Sequence, residues 1–250
     1  MRIVVSRDYE EMSKRAANIV AGQVFVKPNS VIGLATGSTP LLMYRELIRM
    51  HREEGLDFSE ITTFNLDEYI GLATDNINSY HRYMYDNLFN HINIRKENIY
   101  IPDGMVSDIE KECVNYEGTI SSKGGIDLQV LGIGNNGHIG FNEPDVKFEA
   151  TTHKVKLDEE TILANARFFD NINDVPKYAI SMGIKTIMHA RKILMLANGS
   201  SKAEALGKAL YGGITPEIPA SILQMHQDVT VVVDEECAAF LKKSGGEQIE

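Results

Sequence analysis

Cysteine, basic charge and long apolar runs are all scarce in this chain, and each scarcity closes off a class of protein. Cys113 and Cys237 are the two cysteines. They stand far apart and without metal-ligand spacing, which excludes a disulfide framework and suits a reducing compartment; both are expected to be passive thiols. The formal net charge is −10 and no Lys/Arg cluster stands out, which argues against a nucleic-acid surface. An anionic ligand would therefore need a local positive site. No apolar stretch approaches the roughly 18 residues of a membrane span, and the first residues read as a strand and a charged helix rather than a leader. A soluble cytoplasmic protein without a membrane partner is expected. Its 250 residues, 43% of them hydrophobic, are enough for one α/β domain with a sizeable core.

The chain is organised around Ile126 to Pro144, IDLQVLGIGNNGHIGFNEP. Ile126, Leu128, Val130, Leu131 and Ile133 read as a strand buried on both faces, bounded by Gly124-Gly125 and by glycines at 132, 134 and 137. Ligands sit at the carboxyl ends of such strands. His138 lies there, five residues before Glu143 in an Asn-Glu-Pro turn. The two form a carboxylate-supported acid/base pair if the loop folds back; otherwise this is a plain polar loop. Gly132-Ile-Gly134-Asn-Asn-Gly137 also imitates a dinucleotide-binding GxGxxG. That fingerprint needs a helix opening at its third glycine, and Gly140, Asn142 and Pro144 interrupt any helix there.

Along the rest of the chain, strands at Arg2–Ser6, Val31–Ala35, Ile61–Asn65, Arg191–Ala197 and Val229–Val233 alternate with helical patterns. The helices are expected over Asp8–Val24, from Leu41 past His51, over Ser79–His91 and Val106–Ser121, on to Leu210, and over Asp234–Lys243. Thr151–Leu157 reads as a further strand, and Asp158–Asp174 as a helix running into a polar turn. This alternation specifies a doubly wound, mostly parallel sheet flanked by helices, Rossmann-like in class. Thr36-Gly37-Ser38-Thr39-Pro40 joins a strand to a helix, with hydroxyls, a close-approaching glycine and free N–H groups: an anion cradle, or else only a well-capped helix start. It lacks the Gly-Lys-Ser/Thr of a nucleotide loop, so a phosphate monoester suits it better. The logic repeats at Asn198-Gly199-Ser200-Ser201-Lys202, with a lysine added. At the end of Ile61–Asn65 stand Asp67 and Glu68; adjacent residues point apart, so at most one faces a site. Four strand ends thus deliver TGSTP, DEY, GNNGH and GSSK to one edge.

TFNLDEYIGL at 63–72, GIGNNGHIGFNEP at 132–144, ANARFFD at 164–170 and VPKYAISMG at 175–183 together resemble the glucosamine-6-phosphate deaminase (isomerase) family. The 6-phosphogluconolactonases are its siblings. Lactonases look similar around the Gly-His segment but have neither this FNEP nor this DEY. The resemblance implies conversion of glucosamine 6-phosphate and water to fructose 6-phosphate and ammonia. His138 would open the sugar ring, Glu143 would orient and charge that histidine, and Asp67 would take the proton from C2. The phosphate would lie on Thr36, Gly37, Ser38 and Thr39, with Arg167 and Lys202 supplying charge. A lid over about 151–174 would close on the substrate, within a single domain spanning 1–250. No metal or other cofactor is called for, because the substrate carries its own electron sink.

Two positions depart from the best-known family pattern. Asn136 stands where aspartate is usual, two residues before the histidine, and keeps a hydrogen bond but not a charge. His153 and Val155 stand where hexameric relatives activated by N-acetylglucosamine 6-phosphate carry bases, which leans towards a non-allosteric, monomeric enzyme. A galactosamine-6-phosphate deaminase, a lactonase and a non-catalytic sugar-phosphate sensor are the competing readings; the sensor would not need Asp67, His138 and Glu143 together.

Overall fold

Seven short strands lie side by side in one parallel sheet, in the order β1 (Arg2–Ser6), β10 (Val229–Asp234), β9 (Lys192–Ala197), β6 (Leu128–Gly132), β2 (Val31–Leu34), β3 (Thr62–Asn65) and β5 (Ile99–Tyr100). The computed structural model describes residues 1–166, 169 and 171–241. Five of these strands, β2, β3, β6, β9 and β10, are buried along almost their whole length, as strands covered by helices on both faces must be.

The covering helices follow from apolar spacing and caps. In α1 (Tyr9–Val26), Met12, Ala16, Val20 and Val24 recur every fourth residue and face the sheet, and Asp8 caps the start by accepting the Glu11 N–H at 2.8 Å. In α2 (Leu41–Glu54), Met43, Tyr44, Leu47 and Met50 are buried, and Gly55 closes the end in the left-handed region. These helices and α3 (Tyr80–Asn87) build an apolar layer on one face, around Ile32, Leu128, Leu194 and Val232. On the other face, α4 (Ile109–Ser122), α6 (Ile184–Met188), α7 (Ala203–Tyr211) and α8 (Glu235–Leu241) cover Phe64, Leu131, Met195 and Val231. Each such side chain removed from water contributes roughly 1.5–3 kcal/mol.

A second sheet was not expected. β4 (Asp67–Tyr69), β8 (Tyr178–Ser181) and β7 (His153–Lys156) form a three-stranded antiparallel sheet in the order β4-β8-β7. The DEY segment is therefore the first strand of this second sheet, and Thr151–Leu157 contributes its far edge. A small cluster of Tyr69, Phe141, Leu157 and Ala179 packs beneath it. The helix read over Ser79–His91 also breaks, with α3 ending at Asn87 and a 3-10 turn at Phe89–His91 following. A 3-10 helix also spans Pro219–Met225.

Chain direction places the site. From β2 the chain moves outward to β3 and β5, then returns to lay β6 on the opposite side of β2. The carboxyl ends of β2 and β6 thus flank the switch point, where connecting loops diverge and leave a crevice.

Candidate active site

The loops after β2 and β6, together with β4, enclose a cleft of about 270 Å³ at that crevice, lined among others by Gly37, Ser38, Asp67, Asn136, His138 and Lys202. Sequence positions more than 160 apart meet there. Arg167, the second expected phosphate cation, lies outside the described residues.

The loop after β2 is shaped by two tyrosines, Tyr83 and Tyr9. The Tyr83 hydroxyl donates to the Gly37 carbonyl at 2.6 Å, and the Tyr9 hydroxyl donates to the Ser38 carbonyl at 2.5 Å. A trans peptide points its C=O and the following N–H in opposite directions. The N–H groups of Ser38 and Thr39 are therefore turned away from these tyrosines. Gly37 makes the turn with a φ of +93°. Thr39 is buried, and its hydroxyl donates to Asn198 Oδ1 at 3.0 Å while accepting from Lys202 Nζ at 2.6 Å. Thr39 thus locks the two cradle loops together. The second loop is less open than its sequence suggests, because the Gly199 N–H donates to the Asp234 carboxylate.

Asp67 and Glu68 face opposite ways. Asp67 is buried on β4 yet lines the cleft, and burial first, then the neighbouring Glu68 charge, pushes its carboxyl up to about 8. Glu68 is not solvated. Its carboxylate accepts the N–H groups of Tyr69, Tyr80 and His81 at 2.8, 2.9 and 2.7 Å, which anchors the start of α3. That anchor brings Tyr80 to the wall of the cleft. Burial raises the Glu68 carboxyl, against the opposing pull of those N–H groups.

The loop after β6 does fold back. His138 Nδ1 stands 3.1 Å from Glu143 Oε2, and the same oxygen accepts from Asn136 Nδ2 at 2.9 Å. Asn136 Oδ1 accepts the His138 backbone N–H at 3.2 Å, so one amide steadies both members of the pair. Burial works to raise the Glu143 carboxyl, but His138, Thr161 and Asn136 together outweigh it and leave the group below its ordinary value. The third oxygen partner, Thr161, donates to Glu143 Oε1 at 2.6 Å and carried no sequence signal. A Cβ on Gly134 would lie 2.3 Å from the His138 ring, so only glycine lets the ring rest against that strand end. No helix follows Gly137, and the dinucleotide fingerprint has no structural counterpart.

The parallel sheet thus brings a loop of turned-out N–H groups, Lys202, the raised Asp67 carboxyl and the His138–Glu143 pair to one cleft at its switch point, groups fit for acid/base chemistry on an anionic ligand. The chain belongs to the family described as glucosamine-6-phosphate isomerases/6-phosphogluconolactonase, which matches residues 7–232. It is 61% identical over 241 residues to a glucosamine-6-phosphate deaminase of Clostridium acetobutylicum, covering 96% of this chain and all of that one. It is 56% identical to the glucosamine-6-phosphate deaminase of Clostridioides difficile, over 96% of this chain and 97% of that one. A solved structure described as a monomeric glucosamine-6-phosphate deaminase superposes with a TM-score of 0.94 at 51% identity, covering 96% of this chain and all of that chain. The 6-phosphogluconolactonase of Trypanosoma brucei, at 20% identity and a TM-score of 0.77, shares the fold.

Proposed function

We propose that this chain converts glucosamine 6-phosphate and water to fructose 6-phosphate and ammonia, as a cytoplasmic step of amino-sugar breakdown. The observation that carries the reading is one cleft lined at once by the Thr36–Thr39 loop and Lys202, by the buried Asp67 carboxyl and by the carboxylate-held His138. The sugar phosphate would rest its phosphate on the Thr36–Thr39 loop and on Lys202, with Arg167 as a second cation that can grip two oxygens.

His138, steadied by Glu143 and Asn136, takes the anomeric hydroxyl proton and returns one to the ring oxygen, a task for a side chain whose reference pKa is about 6.5. The open-chain aldehyde acidifies C2. Asp67 then removes the C2 proton to give an enolamine. Reprotonation at C1 gives a ketimine, and water adds to it to release ammonia and the ketose. A carboxyl pushed up to about 8 is a stronger base than an ordinary aspartate once deprotonated. The substrate's own ammonium at C2 arrives next to it and favours that ionised form.

The activity for which the similar proteins are named supports this reading. A lactonase would use the cradle and the histidine but would leave the raised carboxyl of Asp67 without work. We further propose that the protein acts as a monomer, as the similar solved enzyme is described, and that residues 151–174 of its single domain form a lid. Within that segment His153–Lys156 is paired to β8, so closure would fall to α5 (Glu159–Asn165) and the residues after it.

Ammonia and fructose 6-phosphate are to be measured from purified protein given glucosamine 6-phosphate, with galactosamine 6-phosphate run alongside. Product from the gluco epimer supports the proposal. Binding without turnover of either amino sugar moves the sensor reading forward, and turnover of the galacto epimer alone reassigns the substrate.

A further inference from the structure

Thr161 stands on α5 and its hydroxyl reaches a group that the proposed chemistry depends on, although the chemistry itself assigns it nothing. Glu143 Oε2 is held from two sides, by Asn136 Nδ2 at 2.9 Å and by His138 Nδ1 at 3.1 Å. Glu143 Oε1 accepts from Thr161 Oγ1 at 2.6 Å. The terminal torsion of a glutamate is broad, so donors on one oxygen alone leave the carboxylate plane free to swing. A donor on the other oxygen fixes it. Thr161 is 6% exposed, and the next residue, Ile162, packs against the cluster of Tyr69, Phe141, Leu157 and Ala179. The seating of α5 on that cluster is what delivers the hydroxyl.

We infer that Thr161 is a positioning residue: its hydroxyl fixes the Glu143 carboxylate so that Oε2 faces His138, and it does so only while α5 is seated beside the cleft. The inference rests on the deaminase reading. Under it, ring opening by His138 is efficient when α5 is docked and slow when α5 lifts, so docking of this helix and proton transfer are one event. Thr161 acts through Glu143 rather than on the sugar, and its loss is therefore felt in turnover more than in binding.

The test compares Thr161→Val, which keeps the shape and removes the hydroxyl, with Thr161→Ser, which restores the hydroxyl, each first checked for unchanged folding by circular dichroism. With glucosamine 6-phosphate, Thr161→Val is expected to lower kcat roughly tenfold or more, the scale of one hydrogen bond to a charged group, with KM within about twofold. Thr161→Ser recovers most of the loss. In parallel, the Glu143 carboxyl followed by carbon NMR titrates at higher pH in Thr161→Val and as in the parent in Thr161→Ser. Full turnover in Thr161→Val, equal loss in both variants, or an unmoved Glu143 titration overturns the inference. If the parent releases no ammonia, it is the deaminase reading that fails, and the Glu143 titration alone then decides whether Thr161 holds the carboxylate.

Discussion

Asp67 opens onto the cleft while Glu68, the next residue, turns its carboxylate to the first N–H groups of α3. Strand geometry forces the split, since successive side chains leave opposite faces. One acid faces the cleft, and the other organises the wall beside it and raises its neighbour's pKa.

Asp67→Asn is expected to abolish ammonia release and to raise stability. An unfolded aspartate titrates near 3.9, whereas Asp67 in the folded protein titrates at about 8. Between those values the folded chain holds a proton that the unfolded chain has released, so the parent loses stability as pH rises across that window. Asparagine does not titrate. The melting temperature of the variant should match the parent near pH 4, exceed it by several degrees at pH 8 and keep that lead above. An equal difference at pH 4 and pH 8 would contradict the burial of an unpaired carboxyl.

For the parent, kcat/KM should decline as pH falls through about 8, because the free enzyme then carries a proton on Asp67. Asn136→Asp replaces a donor 2.9 Å from Glu143 Oε2 with a second carboxylate, and two like charges that close hold one proton between them. A further negative charge in the same cleft also holds the proton on Asp67 more tightly, so the acid limb is expected to move to higher pH. A shift to lower pH in the rate profile would contradict this.

Tyr83→Phe frees the Gly37 carbonyl that its hydroxyl holds. Losing one neutral hydrogen bond of about 1 kcal/mol relaxes the cradle, and KM for the sugar phosphate should rise roughly three- to tenfold with kcat little changed. Inorganic phosphate as a competitive inhibitor should weaken in step. A drop in kcat alone would place Tyr83 in the chemistry instead.

Gly134→Ala puts a methyl 2.3 Å from the His138 ring. The ring must move, and a misplacement of about 1 Å costs on the order of a hundredfold in rate. Steady-state kinetics should show that loss in kcat, while the thermal transition shifts little. Activity near the parent's would show that the ring has another resting place.

The parallel sheet and the two loops at its switch point were legible because their signals are local: apolar runs ending in Thr36-Gly37-Ser38 or in Gly132-Ile133-Gly134, each bounded by residues that break a strand. The small sheet was not. Its strands are three or four residues long, and β4 pairs with β8 from more than a hundred positions away, so no periodicity betrays the pairing. The folded-back loop was readable from His138 and Glu143, since the Asn-Glu-Pro turn limits where Glu143 can go. Thr161 and the tyrosine clamps on Gly37 and Ser38 act through single hydroxyls, which leave no pattern in composition or spacing. Arg167 was singled out from the resemblance and lies outside the described residues.

The cradle stands at the end of the parallel sheet, whereas Asp67 belongs to the antiparallel one. Under the proposed function the cleft is a gauge with two jaws, one for the phosphate and one for the carbon that loses its proton. A sugar phosphate one carbon shorter, held by the same jaw, presents a different carbon to Asp67. Such a compound is expected to occupy the site and block it without exchanging its C2 proton with solvent, which would tie the chain length of the substrate to the placement of the two sheets.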